Sequence, residues 1–370
     1  MNSRWLLLAT LAGTVPRVAG AQGADSSNHG VKISGYVTSS YFLASNPADG
    51  SITGRLYDRF HNQFTINAAR LTVARAVATD KMDAGFQVDA LYGQNAPPLH
   101  AAGLSLGDQG DIPQAFVTLN VPTGKDTWVQ FKAGKMWTLL DVEVVDEILN
   151  PNFSQGYAYI YLTNFTNTGI GVDAKLSGKV DAQLRLFNGW DLVEDNNNAK
   201  SFMARVGLTP SEKVALAFFG FYGPEQAGNT TDNRYGGEFV GTFKPGTKAT
   251  IYAQLDVGGE QGIGTGGADA RWTGAGVWGV FDMSPRVALA LRGDYMNDHD
   301  GVRTSGVLGF ATAAQRTVSS ATATLNIKSW EHALVRPEVR LEHSNRDDFG
   351  MAGALHPTQF TLGVAVSYIF

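Results

Sequence analysis

The last residues of the chain restrict its fold more than any other stretch. Residues 358–370 read Thr-Gln-Phe-Thr-Leu-Gly-Val-Ala-Val-Ser-Tyr-Ile-Phe. Phe360, Leu362, Val364, Val366, Tyr368 and Phe370 share one parity, and Gln359, Thr361, Gly363, Ala365 and Ser367 share the other. Successive side chains of a strand point to opposite faces, so one face here is continuously apolar and the other small or polar. In a soluble sheet the apolar face needs a core. In a membrane barrel it meets lipid, while the polar face looks into a wet interior. The rest of the chain separates these two readings.

The amino terminus predicts export. Arg4 precedes a short apolar run at 5–15, Pro16 follows it, and Ala19-Gly20-Ala21 has the form of a cleavage site. Residues 1–21 therefore read as a signal peptide, too short for a membrane anchor, and residues 22–30 as a flexible polar leader. Beyond them no run of 18 apolar residues occurs, so no spanning helix is available. The 43 glycines and 11% aromatic residues suit a barrel with aromatic girdles. The chain has no cysteine, which excludes thiolate metal sites, disulfides and thiol nucleophiles. Its net charge of −5 argues against nucleic-acid binding.

From residue 31 onward strand and connection alternate. The pattern predicts sixteen strands: 31–42, 63–77, 84–93, 113–121, 128–137, 169–176, 180–188, 201–209, 213–222, 235–243, 248–257, 271–281, 286–295, 317–328, 333–343 and 358–370. A parity slip at Ala68-Ala69 predicts a bulge in the second. A strand reading of 157–162 leaves fourteen or eighteen open. Short turns such as Ser177-Gly178-Lys179 and Pro210-Ser211-Glu212 alternate with long polar connections. Long loops on one side and short turns on the other are the signature of an antiparallel up-and-down transmembrane β-barrel over 31–370.

Charges fall on the polar parities. Arg336, Glu338, Arg340 and Glu342 alternate with Val335, Pro337, Val339 and Leu341, and Arg292 and Asp294 oppose Leu289 and Leu291. Arg70, Lys132, Lys175, Arg185 and Arg205 also read as inward. These predict a basic wall around an aqueous conduit, since a barrel this wide leaves room for one. The Arg–Glu run also reads as a bracing ladder. The longest loop, 139–166, places Asp141, Glu143, Asp146 and Glu147 among aliphatics, then Tyr157, Tyr159 and Tyr161. A loop this apolar is expected to fold into the barrel mouth and set its carboxylates against the wall arginines as a constriction. An external cap is the alternative.

Several stretches carry a resemblance: Gly134-Lys135-Met136-Trp137-Thr138, Asn152-Phe153-Ser154 with residues 157–161, Thr168-Gly169-Ile170-Gly171-Val172, and Phe187-Asn188-Gly189-Trp190-Asp191 with Asp195-Asn196-Asn197. On these the chain resembles the OmpL-like β-barrel porins of Gram-negative outer membranes. The resemblance covers most of 31–370 and is sharpest over about 130–200. It implies passive diffusion of small hydrophilic solutes across the outer membrane, with no cofactor, no metal and no catalytic residue. The Pro-Glu-Phe-Gly-Gly constriction motif of the large trimeric porins does not occur. The closing strand, with Tyr368 and the terminal Phe370, resembles the assembly signal of outer-membrane barrels. Implied partners are outer-membrane lipid and lipopolysaccharide, the barrel assembly machinery and the solutes, with a homo-oligomer left open.

Two other functions fit a barrel with long loops. One is a surface receptor or adhesin. The other is a rim hydrolase using Asp298, His299 and Asp300 with Asp347 and Asp348, although no spacing ties these together. Asp191, Glu194 and Asp195 with the following asparagines offer oxygen ligands, but without a glycine-centred calcium loop.

Overall fold

A computed structural model describes residues 30–104, 106–310 and 314–370. The expected signal peptide at 1–21, and all of the expected leader except Gly30, lie outside the described residues. Sixteen antiparallel strands close into one barrel. They are β1 (Lys32–Ala44), β2 (Gln63–Arg75), β3 (Asp83–Tyr92), β4 (Gly110–Pro122), β5 (Trp128–Trp137), β6 (Thr166–Lys175), β7 (Val180–Phe187), β8 (Ser201–Ser211), β9 (Val214–Pro224), β10 (Asn233–Phe243), β11 (Ala249–Glu260), β12 (Ala270–Ser284), β13 (Val287–Asp298), β14 (Arg316–Lys328), β15 (Ala333–Ser344) and β18 (Thr358–Ile369). A small hairpin, β16 (Phe349–Met351) with β17 (Ala354–His356), sits in the last loop outside the barrel sheet.

Each barrel strand corresponds to one of the sixteen expected from the sequence. The fourth and sixth begin earlier than expected, at Gly110 and Thr166. Residues 157–162 are not a strand: they form the short helix α1 (Tyr157–Leu162).

The parity that reads apolar faces outward. On β18, Phe360 is 46% exposed while Gln359 beside it is 1% exposed. Phe131, Ile170, Leu184, Phe202, Phe218, Leu255, Val277 and Leu341 extend the outer apolar surface around the barrel. Only a hydrocarbon surround accommodates a belt of this extent on every strand.

Closure comes from β18 pairing with β15 on one side and β1 on the other. Tyr36 lies opposite Ile369 and Ala44 opposite Thr361. No strand edge is left open inside the membrane. The register between β1 and β2 shifts where Thr38 faces Ala68 and Ser39 faces Ile66, leaving Asn67 as the extra residue. This bulge lets Phe64 and Ile66 before it, and Leu71 after it, all stand exposed on the outer face.

The half of the lumen near the long loops is filled by a second, internal apolar core. Several loops contribute to it: Leu56 and Tyr57, Ala96 and Leu99, Val145 with all of α1, Phe310, and Phe349. Tyr36, Trp272 and Met296 supply the wall side. Gly274 on β12 makes room for the helix, because a Cβ there would lie 2.7 Å from Leu162 Cδ1 and 3.4 Å from Ala158 Cβ.

Candidate functional site

The loop between β5 and β6 leaves and returns through one neck, where Thr138 N–H donates to Phe165 C=O at 3.0 Å. Between these points the chain crosses the lumen and lies along the inner faces of β10–β15, β18 and β1. Leu139 and Leu140 turn inward against Phe187, Trp190, Met203, Phe219 and Phe221. Asp141 then adopts a left-handed backbone with φ 87°, an uncommon conformation for a residue with a Cβ. Its N–H donates to Glu238 Oε1 at 2.7 Å, and Val142 N–H donates to Gln254 Oε1 at 3.1 Å.

The four loop carboxylates have distinct surroundings. Glu143 Oε1 accepts from Arg292 Nη1 at 2.7 Å and from the Trp278 indole at 3.3 Å, and its Oε2 accepts Gly156 N–H at 2.6 Å. Asp146 Oδ1 accepts from Arg70 Nη1 at 2.5 Å and from the Tyr36 hydroxyl at 3.0 Å. That hydroxyl also lies 3.0 Å from Glu147 Oε2. Asp141 pairs with no cation among the described residues. It stands near Glu143 and Asp256, and Gln254 bridges Asp256 to Glu238.

Burial raises all four carboxyl pKa values. Asp141 is raised most, first by burial and then by the neighbouring Asp256 and Glu143 charges. For Glu143 and Asp146, burial outweighs the opposing pull of Arg292 and Arg70 respectively. Glu147 is pushed up to about 7, by burial first, with the Asp146 charge adding to it.

The wall holds the rest of the loop by its backbone. Arg336 donates to the carbonyls of Glu147 at 2.6 Å and Asn150 at 2.7 Å, and Arg340 donates to Gln155 C=O at 2.6 Å. Arg292 donates to Ser154 C=O. Wall carboxylates take the amides. Glu338 accepts from Phe153 N–H at 2.8 Å and Asp294 from Tyr157 N–H at 3.0 Å, while Glu342 accepts from the Tyr157 hydroxyl at 2.7 Å. Inside a barrel an irregular segment has no strand neighbour, so alternating Arg and Glu on one inward face supply the donors and acceptors its backbone lacks.

The predicted basic residues therefore fall into two groups. Arg292, Arg336 and Arg340 stand behind the loop and bind it. Lys132, Arg185 and Arg205 stand on β5, β7 and β8. There Asp173 takes Lys132 and Arg185, each at 2.6 Å, and Asp181 takes Arg205. Arg70 binds Asp89 as well as the loop, at 2.7 Å. Tyr368 lies on the outer face, where Phe370 is also exposed. Phe370 exchanges two backbone bonds with Gly35, both 3.0 Å.

Sequence reasoning had not singled out Glu238, Asp256, Gln254, Trp278 or Tyr36. All lie on inward parities, and that was the only signal available. The rim residues form no catalytic constellation among the described residues. Asp298 caps its own loop, accepting from the amides of Val302, Arg303 and Thr304 at 2.9–3.1 Å, and Asp348 holds Arg316. Asp191 accepts the amides of Phe165 and Thr166 at 2.9 and 2.7 Å, which ties a neighbouring loop to the neck.

A closed sixteen-stranded barrel with a lipid-facing belt, an interior of paired charges and a loop laid along its inner wall is an outer-membrane porin. The chain belongs to the family described as Putative beta-barrel porin-2, OmpL-like, whose model matches residues 30–370. Its fold is similar to that of an anion-selective porin from Comamonas acidovorans, with a TM-score of 0.65 and 10% identity over 92% of this chain and 99% of that one. It is similar to OmpF of Salmonella typhi, in a complex with daunomycin, with a TM-score of 0.61 and 10% identity over 93% and 99%. The outer membrane channel DcaP of Acinetobacter baumannii gives a TM-score of 0.59 at 12% identity over 92% and 97%. No curated protein matches the sequence.

Proposed function

We propose that this porin filters solutes at the loop 139–166, and that it does so as a channel without chemistry of its own. The observation that carries this reading is the way the loop is held. Arg292, Arg336 and Arg340 from one side of the barrel bind its carboxylate and carbonyls, so the loop narrows the lumen as a fixed shelf. Fixed charges in a narrow lumen act on passing ions through fields that bulk water screens poorly.

Asp141 borders the remaining cavity beyond the loop, but burial and the neighbouring Asp256 and Glu143 charges favour its neutral form, so its share of the selectivity grows as pH rises. Glu143 and Asp146 are neutralised locally by Arg292 and Arg70. Replacing Asp141, Glu143, Asp146 and Glu147 together by their amides removes the acid and leaves Arg70 and Arg292 with fewer counter-charges. The reversal potential in a salt gradient is then expected to move toward anion selectivity. An unchanged reversal potential removes the loop from the selectivity filter.

The same proposal includes export through cleavage after Ala21, barrel insertion guided by the strand ending in Phe370, and contact with lipopolysaccharide and lipid along the outer belt. A homo-oligomer is compatible with this build. Mass spectrometry of the protein recovered from outer membranes tests the first: a mature chain starting at Gln22 is expected, and an uncleaved chain contradicts it.

A further inference from the structure

On the β8–β11 side, arginines are stacked on aromatic rings at both ends of the lumen. A cavity of about 320 Å³ lies on the side of the short turns, between the first turn of the loop, strands β8–β11 and strands β14–β15. Leu139, Val142, Ile148, Phe219 and Tyr252 form its apolar wall, and Asp141, Asp181, Lys328, Glu331 and His332 border the rest. Arg205 enters from β8, paired in register with Phe219 on β9, its guanidinium carbon 5.6 Å from the ring centre. Its Nη1 holds Asp181, and its other N–H groups bond to nothing among the described residues. The volume falls in the range of small-molecule sites.

At the other end, beside the long loops, two guanidinium groups share one indole. Arg234 lies 4.6 Å and Arg303 5.5 Å from the Trp190 ring, and Arg303 also lies 5.1 Å from Trp272. Arg234 is neutralised by Glu260 at 2.6 Å. Arg303 donates through Nε to Tyr161 C=O at 2.7 Å and forms no ion pair among the described residues. Trp190 packs edge-on against Phe221 with centroids 5.0 Å apart, and Phe219 follows two residues away on the same inward face. Leu139 and Leu140 pack over these rings, so the cavity is separated from the mouth.

We propose that the cavity at Arg205 and Phe219 is a binding site for aromatic carboxylates. The proposal rests on the porin reading and names its solute class. A planar ring stacks on Phe219, and its carboxylate meets the open edge of Arg205. An inorganic anion loses water against Leu139, Val142 and Ile148 without a partner there, so it gains less. A sugar brings neither a carboxylate for Arg205 nor a planar aromatic face for Phe219.

Benzoate is the probe, with acetate, benzyl alcohol and glucose as controls for charge, ring and sugar. Calorimetric titration of the full chain in detergent micelles is expected to show benzoate binding at least about tenfold tighter than any control. In planar bilayers benzoate is expected to reduce the potassium chloride current with concentration, as acetate does not. Phe219→Leu and Arg205→Gln each lower benzoate affinity by roughly tenfold. Each variant's current in potassium chloride alone shows that it has folded and inserted. Equal binding of benzoate and acetate, or stronger binding of glucose, overturns the proposal while leaving the porin reading in place. Benzoate binding by a chain that never conducts supports the site and overturns the porin reading instead.

Discussion

At the residue scale, the decisive contacts are those between loop carboxylates and wall cations. Glu143 and Arg292 have no exposed side-chain surface. Arg292 also holds Asp294 at 3.0 Å, so removing Glu143 leaves the cation only partly compensated, which costs about 2 kcal/mol. Glu143→Ala is therefore expected to loosen the loop by about that amount, seen as faster hydrogen exchange at the amides of 143–156 with little change on β5 and β6.

Glu147 gives a pH dependence with a definite sign. Burial, with the Asp146 charge adding to it, lifts its folded pKa to about 7, above the ordinary 4.5, although the Tyr36 hydroxyl pulls the other way. Its contribution to loop docking is complete below pH 4.5 and is lost as pH rises to about 7. Loop mobility is expected to increase over that window, and Glu147→Gln is expected to flatten the change. A wild-type loop equally mobile at pH 5 and pH 8 contradicts this.

At the element scale, the strands were legible because the two-residue period repeats on every one of them. The sequence predicts the bulge from the parity slip at Ala68-Ala69, and Asn67 beside it is the extra residue. Helix α1 was not legible, because six residues with Tyr157, Tyr159 and Tyr161 on alternate positions imitate a strand. What makes them helical is tertiary: Asp294 takes the first amide, and Gly274 leaves space for the helix against β12.

The loop's own charges were visible, but their partners were not. Phe153 meets Glu338 across 185 positions, a separation no local pattern encodes. Because the loop closes at the Thr138–Phe165 neck, deleting 141–163 is expected to leave the barrel sheet intact. Conductance then rises by at least about twofold, since the shelf across the lumen is gone. An unchanged conductance places the narrowest point elsewhere.

At the scale of the whole molecule, the stretch ending in Phe370 joins the ends of the chain. Its two backbone bonds to Gly35 are the last rungs of the closing ladder, and each contributes about 1 kcal/mol net. Deleting Phe370 is expected to lower the yield of barrel that migrates as a compact species on unheated gels, more than it lowers the stability of barrels already formed. The outer apolar belt, the closed sheet and the charged interior make one object only in a membrane, and they leave solute passage as the use of the lumen.

The most direct measurement is the current through single molecules of the purified chain in a planar bilayer with potassium chloride on both sides. Stable, uniform steps of ion conductance are the predicted result. Inserted, compactly migrating barrels that pass no current contradict the account.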